Sequence, residues 1–236
     1  MNIRQSVALV TGANRGLGLS LTKALLARGA KKVYAAARTP ASSSMDGVVP
    51  VVLDVTKPDT IAAAARELGD VTLLVNNAGI IRARGLLAGG IVATAREELE
   101  TNYLGLLAVS EAFAPVLAKN GGGAILNVLS VLSWLAPPGS TTYGASKAAA
   151  WALTNGLRAE LGSQGTQVTA VHVGYIDTDM VRGLDVPKVP AEEVARLALD
   201  GVEAGADEVL VDQLTRTVKD GLSRGLYLRS PSAPRG

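Results

Sequence analysis

Seven short apolar runs alternate along this chain with longer stretches of helical periodicity, and that alternation constrains the fold more than any other feature. The runs are SVALVTG, KKVYAAAR, VVPVVLDV, DVTLLVNNAG, AILNVLS, QVTAVHVG and EVLVD. Each is short, is built of Val, Ala and Leu, and closes on small or polar residues, as buried strands do. Between them, GLSLTKALLARGA, TIAAAARELG, a stretch around 95–119, another from about 142 to 162 and AEEVARLALDGVEAG repeat their apolar residues at helical spacing. QLTRTVKDGLSRG, after the last run, also reads as helical. A Ser-rich loop, TPASSSMDG, separates the second and third runs. Strands that are apolar on both faces and joined by helices imply an α/β fold, a doubly wound parallel sheet of about seven strands with helices on both sides. There is no internal repeat and no dividing linker, so residues 1–236 are expected to form one domain, with 229–236 a flexible tail.

Composition removes several functions. The formal net charge is only +2 and the charges are scattered, which leaves no basic footprint for nucleic acid. The absence of cysteine excludes disulfides and thiolate chemistry, and a single histidine, His172, excludes a multi-histidine metal cluster, so no metal is expected. The run SVALV is too short for a signal peptide, and no run approaches the roughly 18 apolar residues of a membrane span. A cytoplasmic protein with no membrane partner is expected.

The first strand leads into VTGANRGLG, which places Gly12, Gly16 and Gly18 between strand and helix. Glycines let a main chain approach a pyrophosphate closely, and a helix N-terminus favours its negative charge. The spacing is G-x-x-x-G-x-G, not the commoner G-x-G-x-x-G. Gly12, Asn14, Arg15, Gly16, Leu17 and Gly18 are therefore candidate cofactor-binding residues. An acid at the end of the second strand would bind a ribose 2′-hydroxyl; here that strand ends in Arg38. A guanidinium suits a 2′-phosphate, which a carboxylate would repel, and Arg15 is placed to reach the same group. The prediction is NADP(H) over NAD(H).

In TTYGASKAAA, Tyr143 and Lys147 stand four residues apart, on one face of a helix. Alone, such a pair fits a solvated lysine beside an amphipathic tyrosine. With the glycine loop, Asn102 in TNYLG and Ser130 lying 13 residues before Tyr143, the chain resembles the short-chain dehydrogenase/reductase family over essentially its whole length. LDVT and NNAG complete the motifs, in family order. The resemblance implies a single Rossmann-like domain with strand order 3-2-1-4-5-6-7.

It also implies roles. Tyr143 would be the acid/base. Lys147 would tune it and hold the nicotinamide ribose, Ser130 would orient the substrate oxygen, and Asn102 would hold a water linking Lys147 to solvent. Asp54 and Val55 would receive adenine, and Asn76 would brace the sheet. Asn77, Ala78 and Gly79 would border ribose and nicotinamide, and Gly174, Ile176 and Thr178 would meet the carboxamide. Val173 replaces the family's usual proline. His172 is expected to pack rather than carry protons, and Trp134 to cover a loop or line the pocket.

An unperturbed phenol has a pKa near 10, so the expectation is that Lys147 favours the phenolate and lowers it. The reaction suited to this set is reversible hydride transfer between nicotinamide C4 and a carbonyl carbon. The loops after the fourth, fifth and sixth strands offer Leu, Val, Met and Trp with few charges, which favours an apolar or mixed ketone or aldehyde over a highly charged metabolite. An alcohol dehydrogenase, a ketoreductase of protein-carried acyl chains served by Arg82, Arg84 and Arg182, and a non-catalytic NADP(H) sensor remain open. A homodimer or homotetramer through the long helices is expected.

Overall fold

The computed structural model describes residues 1–40 and 45–228, so the middle of the Ser-rich loop and the tail expected at 229–236 lie outside the described residues. Strand β1 (Val7–Thr11) is buried along its whole length. β2 (Lys32–Ala37), β3 (Val48–Val52), β4 (Leu73–Asn76), β5 (Ala124–Val128) and β6 (Gln167–His172) follow, with β9 (Glu208–Leu210) at the far edge. All pair in parallel in the order β3-β2-β1-β4-β5-β6-β9. This is the order the family resemblance implies. An additional parallel pair, β7 (Ile176–Asp177) with β8 (Val189–Pro190), closes the base of the loop that follows β6.

The helices divide between the faces by what they bury. On one face α1 (Gly16–Ala27) and α6 (Ala191–Ala204) pack Leu17, Leu21 and Leu25 with Val194, Leu199 and Val202. On the other, α2 (Pro58–Glu67), α4 (Gly105–Lys119) and α5 (Thr141–Leu161) bring Ile61, Phe113, Leu117, Ala150 and Leu157 against the sheet. Pro58 and Asp59 open α2, where a preset φ and a first-turn acid both help. Chain order reverses between β1 and β4, and at such a switch point a crevice opens at the carboxyl ends of the strands.

Two local features depart from the sequence expectation. The helix expected around 95–119 begins at Ile91, as α3 (Ile91–Leu99), straight after the left-handed Gly89 and Gly90. Between α3 and α4, residues Glu100–Leu104 form a π segment, and Asn102 sits inside it. Residues Ile91–Lys119 form one continuous rod that is long and apolar enough by length and composition to cross a membrane, a test that the core helix of a globular protein also passes. Its inner face carries Val109, Phe113 and Leu117, all fully buried in this core.

Candidate active site

The glycine loop is shaped by contacts that tolerate no side chain. A Cβ on Gly18 would stand 2.2 Å from the Gly12 carbonyl oxygen and 2.6 Å from Asn77 Nδ2. Gly12 is left-handed at φ +65°, as is Gly16 at +53°. Asn77 Nδ2 donates to the Thr11 and Gly12 carbonyls at 2.9 and 3.2 Å, while Thr11 Oγ1 accepts from the Asn77 and Ala78 amides. Asn77 is thus a clip on the loop from β4. Sequence reading gave Thr11 no role, although it ends the first strand beside the loop.

The first turn of α1 holds no acid and its N-cap makes no side-chain hydrogen bond, so its N–H groups are open to an anion. Asn14, Arg15 and Arg38 are exposed around this cradle. Arg15 reaches Asp179 at 3.7 Å, a loose pair with both partners more than half exposed. Burial tends to raise the Asp54 carboxyl, but hydrogen bonds from Thr56 and the charges of Arg38 and Lys57 hold it below the ordinary value. Asp54, Val55 and Arg38 therefore share one edge of the site. A dinucleotide fits these residues: a close backbone approach, a free helix N-terminus and two cations at the ribose end.

At the other end of the crevice, Ser130 follows β5 and Tyr143 and Lys147 sit in the first turns of α5. Ser130 lies close enough to the Tyr143 phenol to favour its ionised form, and its Oγ accepts from the Leu132 amide at 3.1 Å. Lys147 is buried, and its Nζ donates to the Val128 carbonyl at 3.0 Å and stands 5.8 Å from the centroid of the Tyr143 ring. Asn102 clasps Ile80 through both ends of its amide, accepting at 2.8 Å and donating at 2.9 Å, and donates to Ser146 Oγ at 2.9 Å. Ser146 in turn donates to the Tyr143 carbonyl at 2.7 Å. A Cβ on Gly79 would lie 3.2 Å from Asn102 Oδ1 and 3.7 Å from Lys147 Nζ. All four sequence candidates therefore gather at one place. Ser146, inside the Tyr–Lys motif, is the link that sequence reading passed over.

The electrostatics differ from the sequence expectation. Burial pushes the Tyr143 phenol up to about 12; Ser130 pulls it back, and the Glu98 charge adds to the rise. Burial also pulls Lys147 down to about 8. The lysine was expected to hold the phenol down. At 5.8 Å, turned toward a backbone carbonyl, it does not outweigh desolvation in the protein's own groups.

The turn after β6 is anchored. Gly174 N–H donates to Asp212 Oδ2 at 2.7 Å, and the other Asp212 oxygen caps α7 (Gln213–Gly221) by accepting from the Thr215 amide. Val173, in place of the proline, is buried, and its carbonyl accepts from the Val131 amide. Asp212 was not foreseen, although an acid three residues before Thr215 is a helix-cap signature. Thr178 lies over the glycine loop, with Cγ2 3.2 Å from where a Gly16 Cβ would be, and Ile176 is in β7 beneath it.

His172 and Trp134 belong to a cluster behind Ser130. His172 is fully buried and stacks on Trp134 at 4.1 Å, with Nδ1 3.2 Å from the Ser130 carbonyl. That carbonyl can only accept, so Nδ1 carries the proton. Burial lowers this imidazole to about 4, which keeps it neutral. Lys219 lies over the rings of Trp134 and Trp151 and pairs with Glu208 at 2.6 Å. Trp134 is thus packing, not pocket lining.

Comparison with known proteins follows the same line. The family model described as short chain dehydrogenase matches residues 6–187. The chain belongs to that family. This short-chain dehydrogenase is 34% identical over 199 residues to the 3-oxoacyl-(acyl-carrier-protein) reductase FabG of Vibrio cholerae, covering 78% of this chain and 79% of the relative. A short chain dehydrogenase from Burkholderia cenocepacia, solved in complex with NADP, superposes with a TM-score of 0.94 at 43% identity, over 99% of this chain and 100% of the other. A dehydrogenase/reductase from Burkholderia phymatum, solved with NAD, shares the fold at a TM-score of 0.85 and 22% identity, over 100% and 99% of the two chains. The protein is an oxidoreductase of this family with a Rossmann-like fold.

Proposed function

We propose that the protein reduces a ketone or aldehyde to an alcohol with NADPH, reversibly, with Tyr143 as proton donor and acceptor. The observation that carries this reading is the meeting of Ser130, Tyr143 and Lys147 at the carboxyl end of β5, beside a glycine cradle shaped for a dinucleotide. Bound NADPH supplies the hydride. The chain's own residues supply the rest. Ser130 orients the substrate oxygen, where negative charge grows during reduction. Tyr143, held protonated by burial, delivers a proton to that oxygen. Lys147 stays largely cationic near neutrality with its pKa about 8, and the positive field it lends grows in worth as water is excluded. Asn102 fixes Ile80 after β4 and, through Ser146, the backbone of Tyr143.

Preference for NADPH rests on Arg15 and Arg38 flanking the ribose end, and is supported by the NADP complex of the Burkholderia cenocepacia relative. An apolar carbonyl compound suits the rim, where Leu86, Leu87, Met180 and Leu184 are exposed. A ketoreductase of protein-carried acyl chains is a second reading, favoured by the likeness to FabG. The arginines it would use are partly engaged: Arg82 pairs with Glu97 and Arg182 with Asp179. The reading also carries a cytoplasmic location and a homodimer or homotetramer packed through α4 and α5, which sizing by light scattering checks.

The decisive experiment is Tyr143→Phe, assayed by NADPH oxidation against a ketone panel. Turnover should fall by about a hundred- to ten-thousandfold, with NADPH affinity by fluorescence nearly unchanged. Retention of most activity would sink the assignment.

A further inference from the structure

One charged side chain beside the site has no role in the scheme above. Glu98 is fully buried on α3, one helical turn before Asn102. Its Oε1 accepts from the Arg82 amide at 2.7 Å, whereas Oε2 is buried with no partner. The Arg82 guanidinium does not answer it, since its Nε donates to Glu97 at the surface at 2.8 Å. Pinning one backbone amide needs only a carbonyl oxygen, which a glutamine would provide without burying a charge. A buried carboxylate with an orphan oxygen is costly, so its retention in this place asks for a reason beyond packing.

The placement supplies one. α3 packs against α5, the helix that carries Tyr143 and Lys147. We propose that Glu98 is a positioning residue for the proton of Tyr143: its carboxylate opposes the phenolate across the α3–α5 contact and sets the pH at which the phenol lets its proton go. The sign follows from like charges, because a carboxylate nearby disfavours a second anion, and the Tyr143 phenol is pushed upward by Glu98 in addition to its burial. Around Tyr143, the groups of other sign or reach are Lys147 on its own helix and Ser130 after β5. His172, beneath Ser130, is neutral, and the Glu208–Lys219 pair behind it is self-compensated. Around Glu98, Arg82 is engaged by Glu97, and Arg84, Arg96 and Glu100 are exposed.

The inference rests on Tyr143 being the acid/base, and its test separates the two. Glu98→Gln keeps an oxygen for the Arg82 amide and removes the charge. Overall equilibrium fixes the ratio of kcat/KM in the two directions at each pH, so the signature lies in where the limbs fall. In Glu98→Gln, the alkaline fall of ketone reduction and the rise of alcohol oxidation should both move to lower pH, by about one unit. Glu98→Asp keeps the charge one methylene away from its native position and should move them the same way by less, which preserves the test if the glutamine variant fails to fold. Limbs that superimpose on the parent in both variants, with kcat lowered evenly at every pH, overturn the inference in favour of a packing role. An inactive Tyr143→Phe with unmoved limbs sinks the Glu98 inference alone; an active Tyr143→Phe sinks both.

Discussion

The glycine cradle and the rim above it are both loops at the carboxyl ends of strands, yet they are built on opposite terms. In the cradle, main chain meets main chain: Gly18 lies against the Gly12 carbonyl, Asn77 clips both sides of the turn, and Thr178 closes from above. In the rim, residues 82–90 are exposed without interruption, and Leu87 is 97% exposed. A wall of backbone fixes one geometry and admits one kind of ligand. A fringe of exposed side chains fixes little and can suit different substrates on a common core.

A pair of glycine substitutions tests this contrast with the largest expected effect. Gly18→Ala drives a methyl to within 2.2 Å of a backbone oxygen, where no side-chain rotation offers relief. It should destabilise the fold by about 3 kcal/mol or more and abolish detectable NADPH binding. Gly85→Ala, in the rim, meets no atom within 4 Å. It should change stability by no more than about 0.5 kcal/mol and leave cofactor affinity intact. Thermal melts with and without NADPH measure both, and equal effects would erase the distinction between the two loops.

The same contrast explains what was legible in the sequence. The cradle glycines and the Tyr143–Lys147 pair could be read because each imposes a residue type at a fixed spacing, while strand order and the grouping with Asn102 and Ser130 came with the family resemblance that those motifs carry. The π segment at 100–104 could not, since nothing in ETNYL distinguishes a bond to the fifth residue from one to the fourth. Nor could the start of α3, masked by two left-handed glycines. Glu98 reads as one more acid in REELE until its burial is known. The rise of the Tyr143 phenol was missed for the same reason: a helical spacing names the lysine neighbour but not the desolvation that outweighs it.

Arg38 contributes to the cradle through an exposed side chain and not through backbone, so its substitution should act less than Gly18→Ala and more selectively. Arg38→Asp places a carboxylate beside Asp54, at the edge where a 2′-phosphate would lie. The ratio of kcat/KM for NADPH over NADH should fall about ten- to hundredfold, the worth of one or two charge-assisted hydrogen bonds, with the melting temperature little changed. A ratio unmoved by the substitution would assign the preference to Arg15 or deny it altogether.

The smallest effect belongs to the rim. Leu87 touches solvent on nearly every side, so Leu87→Ser should leave the melting temperature and the NADPH KM as they are. If the rim receives an apolar substrate, the serine forfeits contact made only with a long chain. KM should then rise several-fold for long-chain ketones and stay level for short ones, at roughly 0.8 kcal/mol for each methylene no longer covered. The dependence on chain length is the informative quantity. An equal rise for short and long ketones would mean that the loop acts by closing over the crevice, and no rise with either would remove residues 82–90 from substrate selection and leave it to the loop between β7 and β8.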